Sequence, residues 1–211
     1  MIPDRYPDAE ILAQRGHWDR ATREVVLDRV TNIPEFRFFN DGERRTLEAL
    51  CACVVPQDSR PPERCVAIAP WIDQRCHEAL LDGFRFDDMP DERESWRAGL
   101  AGLDETAGEL FQHAFADLTD DQRRTVLQAI DGGESPGDVW GRLPPRRWWR
   151  QFALRQIVAV YYSHPYAWNQ IGFGGPAYPR GYASLNHGAT EPWEPREVEG
   201  DGSGENREDW R

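Results

Sequence analysis

The sequence predicts a mainly α fold, an irregular helical bundle with a long aromatic, Gly- and Pro-rich C-terminal loop. Three observations carry this reading. Apolar residues recur at spacings of three and four through most of the chain, the period of a helix with one buried face. No apolar–polar alternation exceeds four residues, as in Phe36–Phe39. The helical period then breaks off, and residues 161–182 hold Tyr161, Tyr162, Tyr166, Phe173 and Tyr178 before Tyr182, with Trp168, four Gly and three Pro and no lysine or carboxylate. The 211 residues, 39% of them hydrophobic, are enough for one domain with a real core.

The elements follow in order. Residues 1–20 are polar and read as an irregular arm. Ala21 to Val30 carries Val25, Val26 and Val30 and reads as a short helix that Pro34 stops. Asn40-Asp41-Gly42-Glu43 has the form of a capping box, and Leu47, Leu50, Cys51 and Val54 make the apolar face of the helix behind it. Pro56 ends that helix and a Pro-rich loop spans 57–66. Pro70 suits a first turn. Trp71, Ile72, Cys76, Ala79, Leu80 and Phe84 then lie on one stripe. Asp87-Asp88-Met89-Pro90 reads as a turn and helix start, followed by the longest helical pattern, from Trp96 through Leu103 and Phe111 to Phe115 and Leu118. Thr119-Asp120-Asp121-Gln122 is a second capping box, and Gly132-Gly133 stop its helix. Pro144-Pro145 open the last long helix, with Trp148, Trp149, Phe152, Ile157, Val158 and Tyr161 inside or at an interface. This gives an N-terminal arm and short helix over 1–35, a helical domain over 36–189 and a disordered acidic tail over 190–211, where too few apolar residues remain to offset the cost of ordering.

Net charge is −12 and the pI about 4.9, which excludes the basic footprint of a nucleic-acid binder. All 25 basic residues are arginine. A high-GC genome accounts for that, and an acidic, lysine-free surface suited to high salt is the alternative. No apolar core of a signal peptide occurs in Met1–Pro7, and no run approaches the ~18 apolar residues of a membrane span.

The search for chemistry returns little. Gly172-Phe173-Gly174-Gly175 follows a helix and lacks the strand–loop–helix setting of a nucleotide fingerprint. His17, His77, His113, His164 and His187 form no metal-ligand pair. Cys51, Cys53, Cys65 and Cys76 contain no CxxC; Cys51 and Cys53, on an expected helix, read as small buried residues, and a Cys65–Cys76 disulfide is conceivable only in an oxidising compartment. Asp87-Asp88 and Asp120-Asp121 sit at helix starts, where backbone N–H groups stabilise carboxylates. His164, at the end of a helix, is either a C-terminal cap or a partner contact. Arg146, Arg147 and Arg150 beside the Trp148–Trp149 pair are either a solvated face or interface anchors.

The signature stretch has a relative. Its elements are a helix ending in Trp148, Trp149, Phe152, Tyr161 and Tyr162, then His164-Pro165, Asn169, Gly172-Phe173 with Gly174-Gly175, and Tyr178-Pro179-Arg180-Gly181-Tyr182. Upstream come Phe38-Phe39, Val54-Val55-Pro56-Gln57-Asp58 and Trp71-Ile72-Asp73. Over residues 36–187 this resembles the gluconate 2-dehydrogenase subunit 3 family, small accessory subunits of flavin-dependent dehydrogenases of the glucose–methanol–choline type. Where typical members have Asp-Pro and a Gly-rich pair, residues 164–168 are His-Pro-Tyr-Ala-Trp. The resemblance implies a non-catalytic subunit that binds and stabilises or matures a flavoprotein large subunit. No catalytic, cofactor or metal residue is expected in the chain, and FAD belongs to the partner. The expected interface comprises Trp148, Trp149, Tyr161, Tyr162, His164, Tyr166, Trp168, Asn169, Phe173, Tyr178, Arg180 and Tyr182. Family members often carry a twin-arginine export signal, and none is visible here. The expected location is cytoplasmic, or outside with a signal-bearing partner. The alternative is a metal- or redox-binding protein using the cysteines and histidines.

Overall fold

A computed structural model describes residues 6, 9–80, 83–133, 139–183 and 190–197. Packing divides the chain into two compact units, 32–162 and a second formed by 1–31 with 163–211. The fold is mainly α, and no strand occurs among the described residues.

The larger unit contains α2 (Asp41–Val54), α3 (Ile68–His77), α4 (Glu92–Phe111), α5 (Asp120–Gly132) and a last rod made of α6 (Pro145–Arg147), a π-helical turn (Trp148–Ala153) and α7 (Leu154–Tyr162). Both capping boxes form. Asn40 and Glu43 close the start of α2, and Thr119 and Gln122 that of α5, each side chain bonding the other's backbone N–H. Pro145 takes the first turn of the last rod.

α4 packs against α2 and α5, and α3 against α2 and α7. Leu47, Leu50, Ile72, Trp96, Leu100, Leu103, Val126, Ile130 and Ile157 fill the core. The rod reaches α4 through glycine. A Cβ on Gly99 would lie 1.9 Å from Trp148, and one on Gly102 2.5 Å from Trp140. Two indoles therefore lie directly on the α4 backbone. Trp140 donates its indole N–H to Thr106 Oγ1 at 3.0 Å, and Trp96 donates to Gln156 Oε1 at 2.9 Å. Trp96, Trp140, Trp148 and Phe152 form one aromatic cluster, with centroids 5.3–6.2 Å apart.

Two expected helices are shorter than their apolar pattern. α3 ends at His77, because Ala79 adopts φ 52° and the Leu80 N–H bonds back to Arg75 O at 3.0 Å. Leu80 and Phe84 leave the stripe and are exposed. α4 ends at Phe111 with Gln112 left-handed at φ 60°. Phe115 and Leu118 are buried from a separate 3-10 turn, Phe115–Asp117, because the Phe115 N–H is held by Asp104 Oδ1 at 3.0 Å. The start of α4 is capped by Asp91, not by Asp87 or Asp88. Asp88 instead pairs with Arg147 at 3.0 Å.

The smaller unit contains a 3-10 turn (Ile11–His17), α1 (Arg20–Thr31) and α8 (Pro165–Ile171). Residues 11–20, expected to be irregular, are ordered by burial of Ile11 and Trp18, with Leu12 packed against them. Ile11 and Trp18 pack with Val26 and Trp168 in one cluster. The expected tail begins with packed residues too. Glu191 is buried and accepts the Ala183 N–H, and Trp193 lies under the Arg180 guanidinium at 4.1 Å. Residues 198–211 of that tail lie outside the described residues.

Candidate functional site

The signature segment is built from its first histidine onward. The helix that enters it ends at Tyr162, and the chain turns at Ser163 before Pro165 starts α8. His164 is the N-cap of α8 rather than the C-terminal cap its position suggested. Its φ of −92° and ψ of 136° are extended, and the first-turn Pro165 imposes that geometry on the residue before it. The Nδ1 atom accepts the Tyr166 N–H at 3.2 Å, so Nε2 carries the proton and donates to Arg29 O at 2.9 Å. The ring is buried, and both of its nitrogens are engaged within the chain. Arg29 returns the contact by donating to Ser163 O at 2.6 Å.

α8 then turns Trp168 inward. Trp168 is buried with Ile11, Trp18 and Val26. Asn169 is a structural acceptor, since its Oδ1 takes the Ile11 N–H at 2.9 Å. Gly175 has φ +77°, and a Cβ there would sit 2.7 Å from Ile11 Cδ1. Only glycine satisfies both the left-handed angle and the contact. Arg180 donates to Gln14 Oε1 at 3.2 Å and stacks on Trp193. The Tyr178–Pro179 peptide is cis.

What this framework leaves at the surface is apolar. Ile171 is 47% exposed, Phe173 40%, Tyr178 66% and Tyr182 56%. Phe173 stands edge-on to Trp168, with centroids 5.3 Å apart. Tyr166 is half-buried beside the His164 ring. The segment therefore presents large side chains on a backbone that its own unit holds.

The remaining residues expected at an interface belong to the larger unit. Trp148 is wholly buried in the aromatic cluster, and Tyr161 is buried beneath Arg60. Trp149 is half-buried and Tyr162 exposed. Trp148, Tyr161, His164 and Trp168 thus support surfaces from within and offer little contact area themselves. Of the flanking arginines, Arg147 and Arg150 are engaged inside the chain. Arg150 clamps Asp131 through two hydrogen bonds, one of them 2.6 Å, and that bonding holds the Asp131 carboxyl below its usual range. Arg147 pairs with Asp88 and lies over Phe86.

Asp73, seen in the sequence only as part of Trp71-Ile72-Asp73, carries a structural role, as do Trp140, Ile11 and Trp18, which no motif marked. Asp73 is wholly buried on α3 and accepts the N–H groups of Arg37, Phe38 and Phe39 at 2.7, 3.0 and 2.8 Å. Its signal was a carboxylate at a position where the apolar stripe faces inward. Ile11 and Trp18 were the large apolar residues of a polar stretch.

The four cysteines are free thiols. Burial pushes the Cys76 thiol up to about 12 and raises Cys51 still further. Cys53, half-buried, is also raised by burial. Among the described residues no group of three or more His, Cys, Asp or Glu side chains is arranged to hold a metal ion. His17, His77 and His113 are exposed. His187 lies outside the described residues. No described helix is long and apolar enough to cross a membrane.

A family model described as gluconate 2-dehydrogenase subunit 3 matches residues 41–175. No curated protein and no solved structure matches the chain.

Proposed function

The chain belongs to the gluconate 2-dehydrogenase subunit 3 family, and from that premise we propose that it is the non-catalytic small subunit of a flavin-dependent sugar or alcohol dehydrogenase of the glucose–methanol–choline type. It binds the large subunit and stabilises or matures it. FAD resides in that partner. The complex is cytoplasmic, or is exported on the partner's signal.

The observation that carries this reading is the exposure of Ile171, Phe173, Tyr178 and Tyr182 on one short segment. Apolar side chains of this size, left uncovered together, mark an interaction surface. The hydrogen bonds of His164, Asn169 and Arg180 fix the backbone beneath them. A surface ordered before association loses less entropy on binding. Charge fits as well, since residues 161–182 contain no carboxylate that would need desolvation.

The test is co-expression with the flavoprotein large subunit encoded in the same genome. Dye-linked sugar or alcohol oxidation should appear only with the large subunit present, and its soluble, FAD-loaded yield should rise with this chain. Turnover by the isolated chain, or a large subunit indifferent to it, contradicts the proposal.

A further inference from the structure

We propose that residues 9–31 belong to the partner-binding apparatus, with Ile11 and Trp18 as positioning residues that hold the 163–183 segment in its binding conformation. This rests on the interface reading above. It extends that reading to a part of the chain that lies outside the matched residues 41–175.

The C-terminal segment cannot order itself. Its large buried apolar side chain is Trp168, and the partners that bury it, Ile11, Trp18 and Val26, all come from the N-terminal side. An indole that keeps only Phe173 beside it gains too little to offset the fixing of some twenty backbone residues, each costing about 1–2 kcal/mol. The anchors alternate along the segment with the exposed residues they position. Asn169, two residues before Ile171, takes the Ile11 N–H. Gly172, between Ile171 and Phe173, has the Tyr6 ring against it, so that a Cβ would lie 2.4 Å away. Gly175 rests on Ile11. Arg180, between Tyr178 and Tyr182, is tied to Gln14. At the entry, His164 and Ser163 are both bonded to Arg29. Five separate points thus join the two ends, and each lies within three residues of an exposed apolar side chain or at the segment's first turn.

The consequence is a coupling. If the N-terminal segment is released, the aromatic segment loses its order and must regain it on binding. Affinity then falls although every contacting side chain remains.

The experiment uses the full chain. Ile11→Asp places a charge in the cluster, Ile11→Val keeps its shape, and Asn169→Ala removes one anchor with little change in burial. Tyr178→Ala is the contact control. Hydrogen exchange of amides 166–175 reads order in the free chain, titration against the FAD-loaded large subunit reads affinity, and circular dichroism reads the helices of 41–162. Ile11→Asp should lose protection over 166–175 and bind at least about tenfold more weakly, with the helical signal retained. Ile11→Val should keep both protection and affinity, and Asn169→Ala should fall between. Unchanged protection in Ile11→Asp and Asn169→Ala overturns the proposal. So does full affinity in a variant that has lost protection. If Ile11→Asp does not fold, Asn169→Ala decides by the same two readouts. Full affinity in Tyr178→Ala overturns the interface reading instead, and the exchange data still decide whether the N-terminal segment orders the C-terminal one.

Discussion

The Asp73 carboxylate accepts the Phe39 backbone N–H at 2.8 Å from a side chain that is wholly buried on α3. The same carboxylate takes the N–H groups of Phe38 and Arg37, so one side chain closes the turn that leads into α2. Phe38 is then pinned from the other side, where Arg97 donates to its carbonyl at 3.0 Å and lies over its ring at 4.3 Å. Asp73→Ala would leave the buried Phe38 and Phe39 N–H groups without an acceptor. Each unsatisfied donor costs about 1–3 kcal/mol, and the expected loss is at least about 2 kcal/mol. Asp73→Asn keeps one acceptor oxygen and should lose less. Urea midpoints of the two variants check the order.

Gly99 and Gly102 are places where α4 has no side chain because an indole occupies the space. Gly99→Ala drives a Cβ into Trp148, and Gly102→Ala drives one into Trp140. Overpacking of this kind costs about 1–3 kcal/mol. Gly108 on the same helix has nothing within 4 Å, so Gly108→Ala should be neutral or slightly stabilising. Thermal melts of the three variants side by side give the comparison. Equal effects at all three positions would show that the Trp–Gly contact does not set the packing.

Burial separates the thiols. At pH 8, Cys51 and Cys76 should resist a water-soluble maleimide or iodoacetamide, since burial keeps both protonated and covered. Cys65 and Cys53, half-buried, should react first. All four should label in guanidinium. Mass mapping after short labelling reads the order, and early modification of Cys76 would contradict it.

Asp104 is the carboxylate that works against the fold. Burial raises its pKa above the usual 3.8, against the opposing hydrogen bonds from Phe115 N–H and the Thr46 hydroxyl. A raised carboxyl favours the folded state below 3.8 and loses that advantage as pH rises through the folded value. Asp104→Asn keeps an acceptor for Phe115 and offers a donor to Thr46 Oγ1. It should therefore match or exceed the parent in stability at pH 7, and its advantage should shrink toward pH 3. Denaturant midpoints at the two pH values test this.

The starts of α2 and α5 were legible because their determinants are local. Asn40 with Glu43, and Thr119 with Gln122, lie within four residues of each other. Helix ends were less so. Leu80 and Phe84 continue the stripe of α3 in sequence, but the left-handed Ala79 takes the chain off the axis first. The π-helical turn at Trp148–Ala153 leaves no mark in the apolar pattern. The signature segment was legible as an aromatic-rich stretch, and its division was not. Trp168 and Tyr178 are alike in composition, yet Trp168 is buried and Tyr178 two-thirds exposed. The difference depends on Ile11 and Trp18, more than 140 residues away in sequence, and on a helix started by Pro165 and by a His164 cap that Arg29 holds.

The central claim is that the exposed residues of 171–182 bind the flavoprotein large subunit. Its most direct test is a titration of the FAD-loaded large subunit with the Phe173→Ala, Tyr178→Ala, Tyr182→Ala triple variant, its fold verified by circular dichroism. These side chains face solvent, so the variant should stay folded with an unchanged helical signal. Binding should weaken by about 2 kcal/mol or more, roughly thirtyfold, if even one of the three is a hot spot. A folded triple variant that binds with the parent's affinity would contradict the account and move the interface elsewhere on the chain.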